Sequence, residues 1–175
     1  MSTEGYGPGS TMTEQRDDLS HRFEADSVRR ALELVGERWT MLILKEAFFG
    51  VRRYGQLARN LNIPRPTLSA RLRKLVDAGL LERVQYAHDP DRFEYRLTEA
   101  GRDLFNAVIA LMQWGDKHLS GPEGPPIALT HTRCGHETHP HLTCDVCGEE
   151  IAARDITPHR GAGFITEPDK RHGEG

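Results

Sequence analysis

Apolar residues return at three- and four-residue steps through most of the stretch from Val28 to Trp114, the spacing that lines one side of an α-helix. Val28, Leu32 and Val35 outline a first helix that stops before Gly36. From Trp39 to Phe49 the apolar set (Trp39, Met41, Leu42, Ile43, Leu44, Phe48, Phe49) runs almost all round, which predicts a central buried helix. Tyr54, Leu57, Ala58 and Leu61 mark a short helix, followed by the tight connection Asn62-Ile63-Pro64-Arg65-Pro66. The next helix, about 66–78, carries Leu68, Leu72, Leu75 and Val76 on one stripe. Prolines are tolerated only at its first turn, where amide hydrogens have no helical acceptor, and Gly79 supplies the stop.

The period then shortens. Leu81–Tyr86 and Arg92–Leu97 are predicted strands about the polar turn Ala87-His88-Asp89-Pro90-Asp91, together a ribbon over 81–97. Thr98 is a good helix N-cap, and Glu99 suits the positive end of the helix dipole. One long closing helix is predicted from there to about His118, with Leu104, Phe105, Val108, Ile109, Leu111, Met112 and Trp114 as its apolar set. Helix, tight turn, helix, ribbon is the plan of a winged helix-turn-helix. The predicted class is therefore mainly α with a small β-wing, followed by a short zinc-ribbon-like C-terminal module.

Glycine and proline draw the boundaries. Residues 1–20 hold too few apolar groups to offset the entropy of ordering and are expected to be a disordered leader. Residues 21–120 form the winged helix-turn-helix and dimerisation domain. Gly121-Pro122-Glu123-Gly124-Pro125-Pro126 is a semi-rigid linker, 127–160 a Cys/His module, and 161–175 a flexible tail. The longest apolar run, Ala107–Met112, is six residues where a membrane span needs about 20. The first residues lack the basic-then-apolar order of a secretory signal. Three cysteines confined to Cys134–Cys147 are unlike a spread disulfide framework. A reducing cytoplasm, with no membrane partner, is the expected setting.

Charge changes the picture once it is read locally. The whole chain has 23 Lys and Arg against 26 Asp and Glu, a formal charge of -3 that speaks against a nucleic-acid binder. Yet between Val51 and Val76 there are seven basic residues (Arg52, Arg53, Arg59, Arg65, Arg71, Arg73, Lys74) and no acid. The rest of the chain thus holds 16 basic against 26 acidic residues, or -10. A directed positive block of this kind is the footprint of a DNA-binding surface. A helical wheel with the leucines inward turns Thr67, Ala70, Arg73 and Lys74 outward and leaves Arg71 on the flank. Such a helix fits a major groove, with Thr67, Ala70 and Arg71 choosing sequence while Arg53, Arg65, Arg73 and Lys74 hold phosphates. His88 and Arg92 at the ribbon tip are placed on the neighbouring backbone. A basic stripe on an amphipathic helix is more often a solvated face; the absence of acids, the two-proline turn and the following ribbon favour DNA.

Four stretches carry a family resemblance: ALELVGERWTMLIL (31–44), RYGQL (53–57), LSARLRKLVDAGL (68–80) and EYRLTEAG (94–101). In this order they resemble the HxlR-type winged-helix regulators, relatives of the MarR group, over about residues 24–116. The resemblance implies a homodimeric transcription factor that binds double-stranded DNA, its dimer contacts coming from the first and last helices. Here those are Val28 and Leu32, then Leu104, Phe105, Val108, Ile109 and Met112. Two positions depart from the family: Asp26 stands about where many members have a sensing cysteine, and Pro64 where a serine cap is common. Redox sensing at that first site is therefore not expected. The apolar closing helix also needs more cover than one body supplies, which independently favours self-pairing.

His131-Thr132-Arg133-Cys134-Gly135 and Cys144-Asp145-Val146-Cys147-Gly148 share the order ligand, two residues, cysteine, glycine. That is the pattern of a zinc knuckle, in which glycine lets backbone amides approach the thiolate. Two such turns predict a closed structural Zn2+ site of His131, Cys134, Cys144 and Cys147, with His136, His139 and His141 competing for the fourth place. A catalytic zinc would need an open position and a general base, and no residue pattern supplies either, so no enzyme is expected. Other readings are a zinc-responsive regulator and a zinc-dependent adaptor that docks a partner protein. The sequence names no operator, no effector and no sign of regulation.

Overall fold

The structure, a computed structural model, describes residues 26–88 and 90–159. The expected leader (1–20) and tail (161–175) lie outside the described residues. The elements are α1 (Ser27–Val35), α2 (Arg38–Phe48), α3 (Tyr54–Leu61), α4 (Arg65–Asp77), β1 (Leu81–His88), β2 (Asp91–Leu97), α5 (Glu99–Asp103), α6 (Phe105–Leu119), and the two-residue strands β3 (Thr130–His131) and β4 (His136–Glu137).

The core forms where the apolar stripes meet. Ile43 and Leu44 of α2, Leu57 of α3, and Leu68, Leu72 and Leu75 of α4 are almost wholly withdrawn from solvent, joined by Ile63, Leu80 and Leu81. Asp26 caps α1 by accepting from the Arg29 amide at 2.8 Å. Glu37 caps α2 through a single carboxylate oxygen that accepts from Trp39 N at 3.0 Å and Thr40 N at 3.2 Å. Asn62 ends α3 in the left-handed region at φ +47°, a conformation Asn tolerates better than most side chains, and so turns the chain sharply into α4. Pro64 occupies the α4 N-cap with no side-chain bond to the helix.

After α4, Gly79 takes φ +68°, and the amides of Gly79 and Leu80 return to the carbonyls of Val76 and Leu75. This double closure satisfies the last helix acceptors and delivers Leu80 to the core. The ribbon pairs β1 and β2 antiparallel from Leu81↔Leu97 to His88↔Asp91, with an irregularity between Gln85 and Ala87. The strands are longer than their predicted limits, because pairing continues into the residues read as turn. Tyr95 N also donates to Arg52 O at 2.8 Å, and Arg53 pairs with Glu94, so the segment before α3 adds a short third edge to the wing.

The closing helix differs from expectation. It is two helices, α5 and α6, separated at Leu104, where the amide bonds three residues back to Gly101 at 3.3 Å. α5 is tied down by its start. Thr98 Oγ1 accepts from Gly101 N at 3.1 Å and donates to Gly79 O at 2.6 Å, while a Cβ on Gly101 would run into the Leu80 carbonyl.

Two carboxylates among the described residues are buried, Glu46 of α2 and Glu94 of β2. Glu46 accepts from Asn60 Nδ2 of α3 at 2.7 Å and pairs with Lys45 Nζ at 2.9 Å. Burial pushes its pKa up, but the bonds from Asn60 and Lys45 outweigh this and hold it below the ordinary value. A lowered folded-state value stabilises the protein above the unfolded value and is lost as pH falls through the folded one. N60A is therefore expected to cost about 1–2 kcal/mol at pH 7. Its deficit against the wild type should shrink as pH drops below about 4.5, as followed by urea unfolding at a series of pH values.

Candidate nucleic-acid interface and Cys/His module

Packing of the α4 leucines decides which side chains the helix offers outward. Arg65, Ser69, Ala70 and Arg73 are exposed, and among the described residues Arg65 and Arg73 enter no ion pair. Tyr54 Oη braces the start of the helix, donating to Arg65 O at 2.9 Å and lying 3.1 Å from Ser69 Oγ. Thr67 is half-buried.

Two residues expected to hold DNA are turned inward. Arg71 Nε lies 3.2 Å from Glu37 Oε2, without the alignment of a hydrogen bond, and Lys74 Nζ donates to Glu33 O at 2.7 Å. Both are half-buried. They flank the leucine stripe on the side facing the α1–α2 junction, where a capping carboxylate and a helix-end carbonyl stand within reach. Their contacts join α4 to α1 and α2.

The wing adds cations held by aromatic rings. The Arg53 guanidinium sits 4.7 Å from the Tyr86 ring centre, and that of Arg83 3.5 Å from Phe93. Stacking keeps such a group extended while leaving its N–H donors on the rim free to bond. Arg53, Arg59 and Arg92, with Gln56, Tyr86 and Phe93, line a groove between the start of α3 and the wing. His88 and Arg92 at the ribbon tip are exposed as expected. Sequence reasoning counted Arg59 in the basic block without giving it a contact, and did not single out Ser69 or Arg83. Ser69 was findable from the helical wheel, whereas the Arg–aromatic partnerships join residues distant in the chain.

The apolar surface is divided. Val28 and Leu32 of α1 are 66% and 57% exposed, and Leu111 and Trp114 of α6 are 59% and 57% exposed. Phe105 is exposed at one edge and meets Phe48 edge-to-face at 5.4 Å between ring centres. Val108 and Ile109, expected at a dimer interface, are instead buried within the chain, and Leu104 packs against the core. α6 is covered on one side by α2 and on another by the C-terminal module, which leaves Leu111 and Trp114 outward.

In that module His131 Nδ1 lies 3.4 Å from Cys134 Sγ. The amides of Cys147 and Val146, with the Cys147 thiol, are directed at Cys144 and hold its thiol pKa below the usual range. The four expected ligands thus form two pairs; among the described residues no set of three or more metal-ligating side chains converges. The module meets the body where Gln113 Nε2 of α6 donates to Pro140 O at 2.7 Å. No described helix is long and apolar enough to cross a membrane.

A basic helix set on a three-helix core beside an antiparallel wing defines a winged helix-turn-helix protein. Residues 34–123 match the HxlR-like helix-turn-helix family, and the chain belongs to it. It is 70% identical over 147 residues, 84% of this chain and 93% of the relative, to an uncharacterized HTH-type transcriptional regulator of Mycobacterium tuberculosis. YtcD of Bacillus subtilis, another uncharacterized HTH-type transcriptional regulator, is 35% identical over 59% of this chain and 82% of its own length. Among solved structures, PA1607, a candidate transcription factor, superposes with a TM-score of 0.70 at 33% identity, covering 81% of this chain and 99% of that one. The chain is accordingly a transcriptional regulator of the HTH type and not an enzyme.

Glu37 serves two helices, as cap of α2 and as partner of Arg71. A capping bond is worth about 1 kcal/mol and a partly exposed ion pair about 0.2–1 kcal/mol. Urea unfolding should therefore show E37A losing about 1–2 kcal/mol and R71A less than about 1 kcal/mol. The reverse order would mean that the ion pair, rather than the cap, governs this junction.

Proposed function

We propose that the protein is a cytoplasmic regulator that binds double-stranded DNA as a homodimer, with α4 in the major groove and the wing on the backbone. The observation that carries this reading is the exposed face of α4. Arg65, Ser69, Ala70 and Arg73 lie together there, within a block of 26 residues that holds no acid. Arg65 and Arg73, with the stacked Arg53 and the tip residues His88 and Arg92, supply phosphate contacts and most of the affinity. Ser69 and Ala70, with the half-buried Thr67 at their edge, meet base edges and methyl groups and choose the sequence. Arg71 and Lys74 set the angle of the helix from behind.

The homodimer is supported by α1. Nine residues are too few for a stable isolated helix, and only Val35 of the nine is buried. Its exposed Val28 and Leu32, with Leu111 and Trp114 of α6, form the face offered to a second copy. Two copies present two recognition helices, which calls for half-sites about one helical turn apart.

Mobility shift on genomic fragments at moderate salt is expected to give sequence-selective complexes. V28E/L32E should sediment as a monomer and lose more than about tenfold in affinity for the same fragments. Absence of any selective complex with the wild type would overturn the DNA reading. A monomeric V28E/L32E with full affinity would overturn the dimer.

A further inference from the structure

The segment 127–159 keeps a defined shape with little to hold it. None of its described residues belongs to the buried set, and Leu142, Val146 and Ile156 are 64%, 90% and 57% exposed. Its regular structure amounts to two paired dipeptides and one turn of 3-10 helix. Ordering a backbone costs about 1–2 kcal/mol per residue, which so little burial does not offset.

What the segment does have is the same turn twice. Gly135 N donates to His131 O at 2.8 Å, and Gly148 N donates to Cys144 O at 2.9 Å. Both glycines are left-handed, at φ +74° and +76°, where a side chain would be strained. Each turn brings its two donors to one side: His131 beside Cys134, and Cys144 beside Cys147. Each also sits in a short antiparallel pairing, His131↔His136 in one and Thr143↔Glu150 in the other.

We propose that His131, Cys134, Cys144 and Cys147 bind one Zn2+ ion that cross-links the two turns and fastens the C-terminal module to α6. Three thiolates and an imidazole suit zinc and disfavour the oxygen-seeking Mg2+ and Ca2+. The structure presents the donors as two pairs, and binding draws the pairs onto one ion as the thiols lose their protons. The other histidines are otherwise engaged. His139 and His141 lie in the stretch that faces α6, where they line clefts with Gln113. His136 stands directly across from His131 and is the competing donor. Between the two turns runs the stretch that carries Pro140 and Leu142, which with Ile151 closes a cleft of about 480 Å³ against Ile109 and Ala110. Fixing both ends of that stretch seats it on the helix that also presents Trp114.

The test uses the full chain purified without chelator or immobilised-metal steps, then incubated with excess Zn2+ and gel-filtered. Elemental analysis should find about one zinc per chain, and Co2+ in its place should give the intense visible bands of a tetrahedral thiolate site. H131A should weaken zinc binding more than about tenfold while H136A leaves it unchanged. Chelation should open 127–159 to protease while the winged body stays resistant. Less than about half an equivalent of zinc after reconstitution, or a Co2+ spectrum without thiolate character, overturns the site. Loss of binding in H136A and not in H131A overturns the ligand set. None of these readouts involves DNA, so they stand apart from the mobility-shift result.

Discussion

The orientation of α4 rests on Leu68, Leu72 and Leu75, packed into the core that Ile43 and Leu44 of α2 centre. Burying a leucine side chain is worth about 1.5–3 kcal/mol, so this stripe outweighs any single polar contact on the helix. Once it is seated, the helical repeat settles the rest. Positions 65, 69, 70 and 73 face solvent, positions 71 and 74 meet the α1–α2 junction, and the closure at Gly79 hands the chain to the wing. The surface proposed to meet DNA is thus a by-product of core packing, and Arg71 and Lys74 tie it to the α1–α2 junction, α1 being the helix proposed to pair with a second copy.

The modest whole-chain charge of -3 acquires a structural meaning from this arrangement. The acid-free block is not uniformly available. Arg71 is set against Glu37 and Lys74 against a backbone carbonyl, so the outward field comes chiefly from Arg65 and Arg73, with Arg53, Arg59 and Arg92 of the groove beside the wing. The acidic remainder keeps the net sign negative, which opposes indiscriminate attraction to nucleic acid and leaves the positive charge concentrated on one face.

Most of the fold was legible in the sequence because its stripes are regular. The α2 to α4 helices, the ribbon and the Thr98 cap follow from periodicity and from the chemistry of single residues. The break at Leu104 was not legible, and neither was the close approach of Gly101 to the Leu80 carbonyl, which leaves no room for a Cβ across more than twenty residues of chain. Val108 and Ile109 were placed on the dimer face by the family resemblance, which names the closing helix without showing which of its residues the chain's own core covers. The contacts of Arg71 and Lys74 were not legible either: their partners, Glu37 Oε2 and Glu33 O, belong to a helix junction that no local pattern brings near. Of the two Cys/His turns, Gly135 and Gly148 were visible in spacing alone, and both take the left-handed conformation.

The central claim is that α4 meets DNA with its 65–73 face and not with its 71–74 flank. The salt dependence of affinity for a selected operator tests it directly, because each phosphate contact contributes about 0.9 to the slope of log K against log salt. R65A/R73A is predicted to flatten that slope by close to two per protomer, while R71A/K74A leaves it unchanged even where affinity falls. A slope flattened by R71A/K74A and untouched by R65A/R73A would contradict the account.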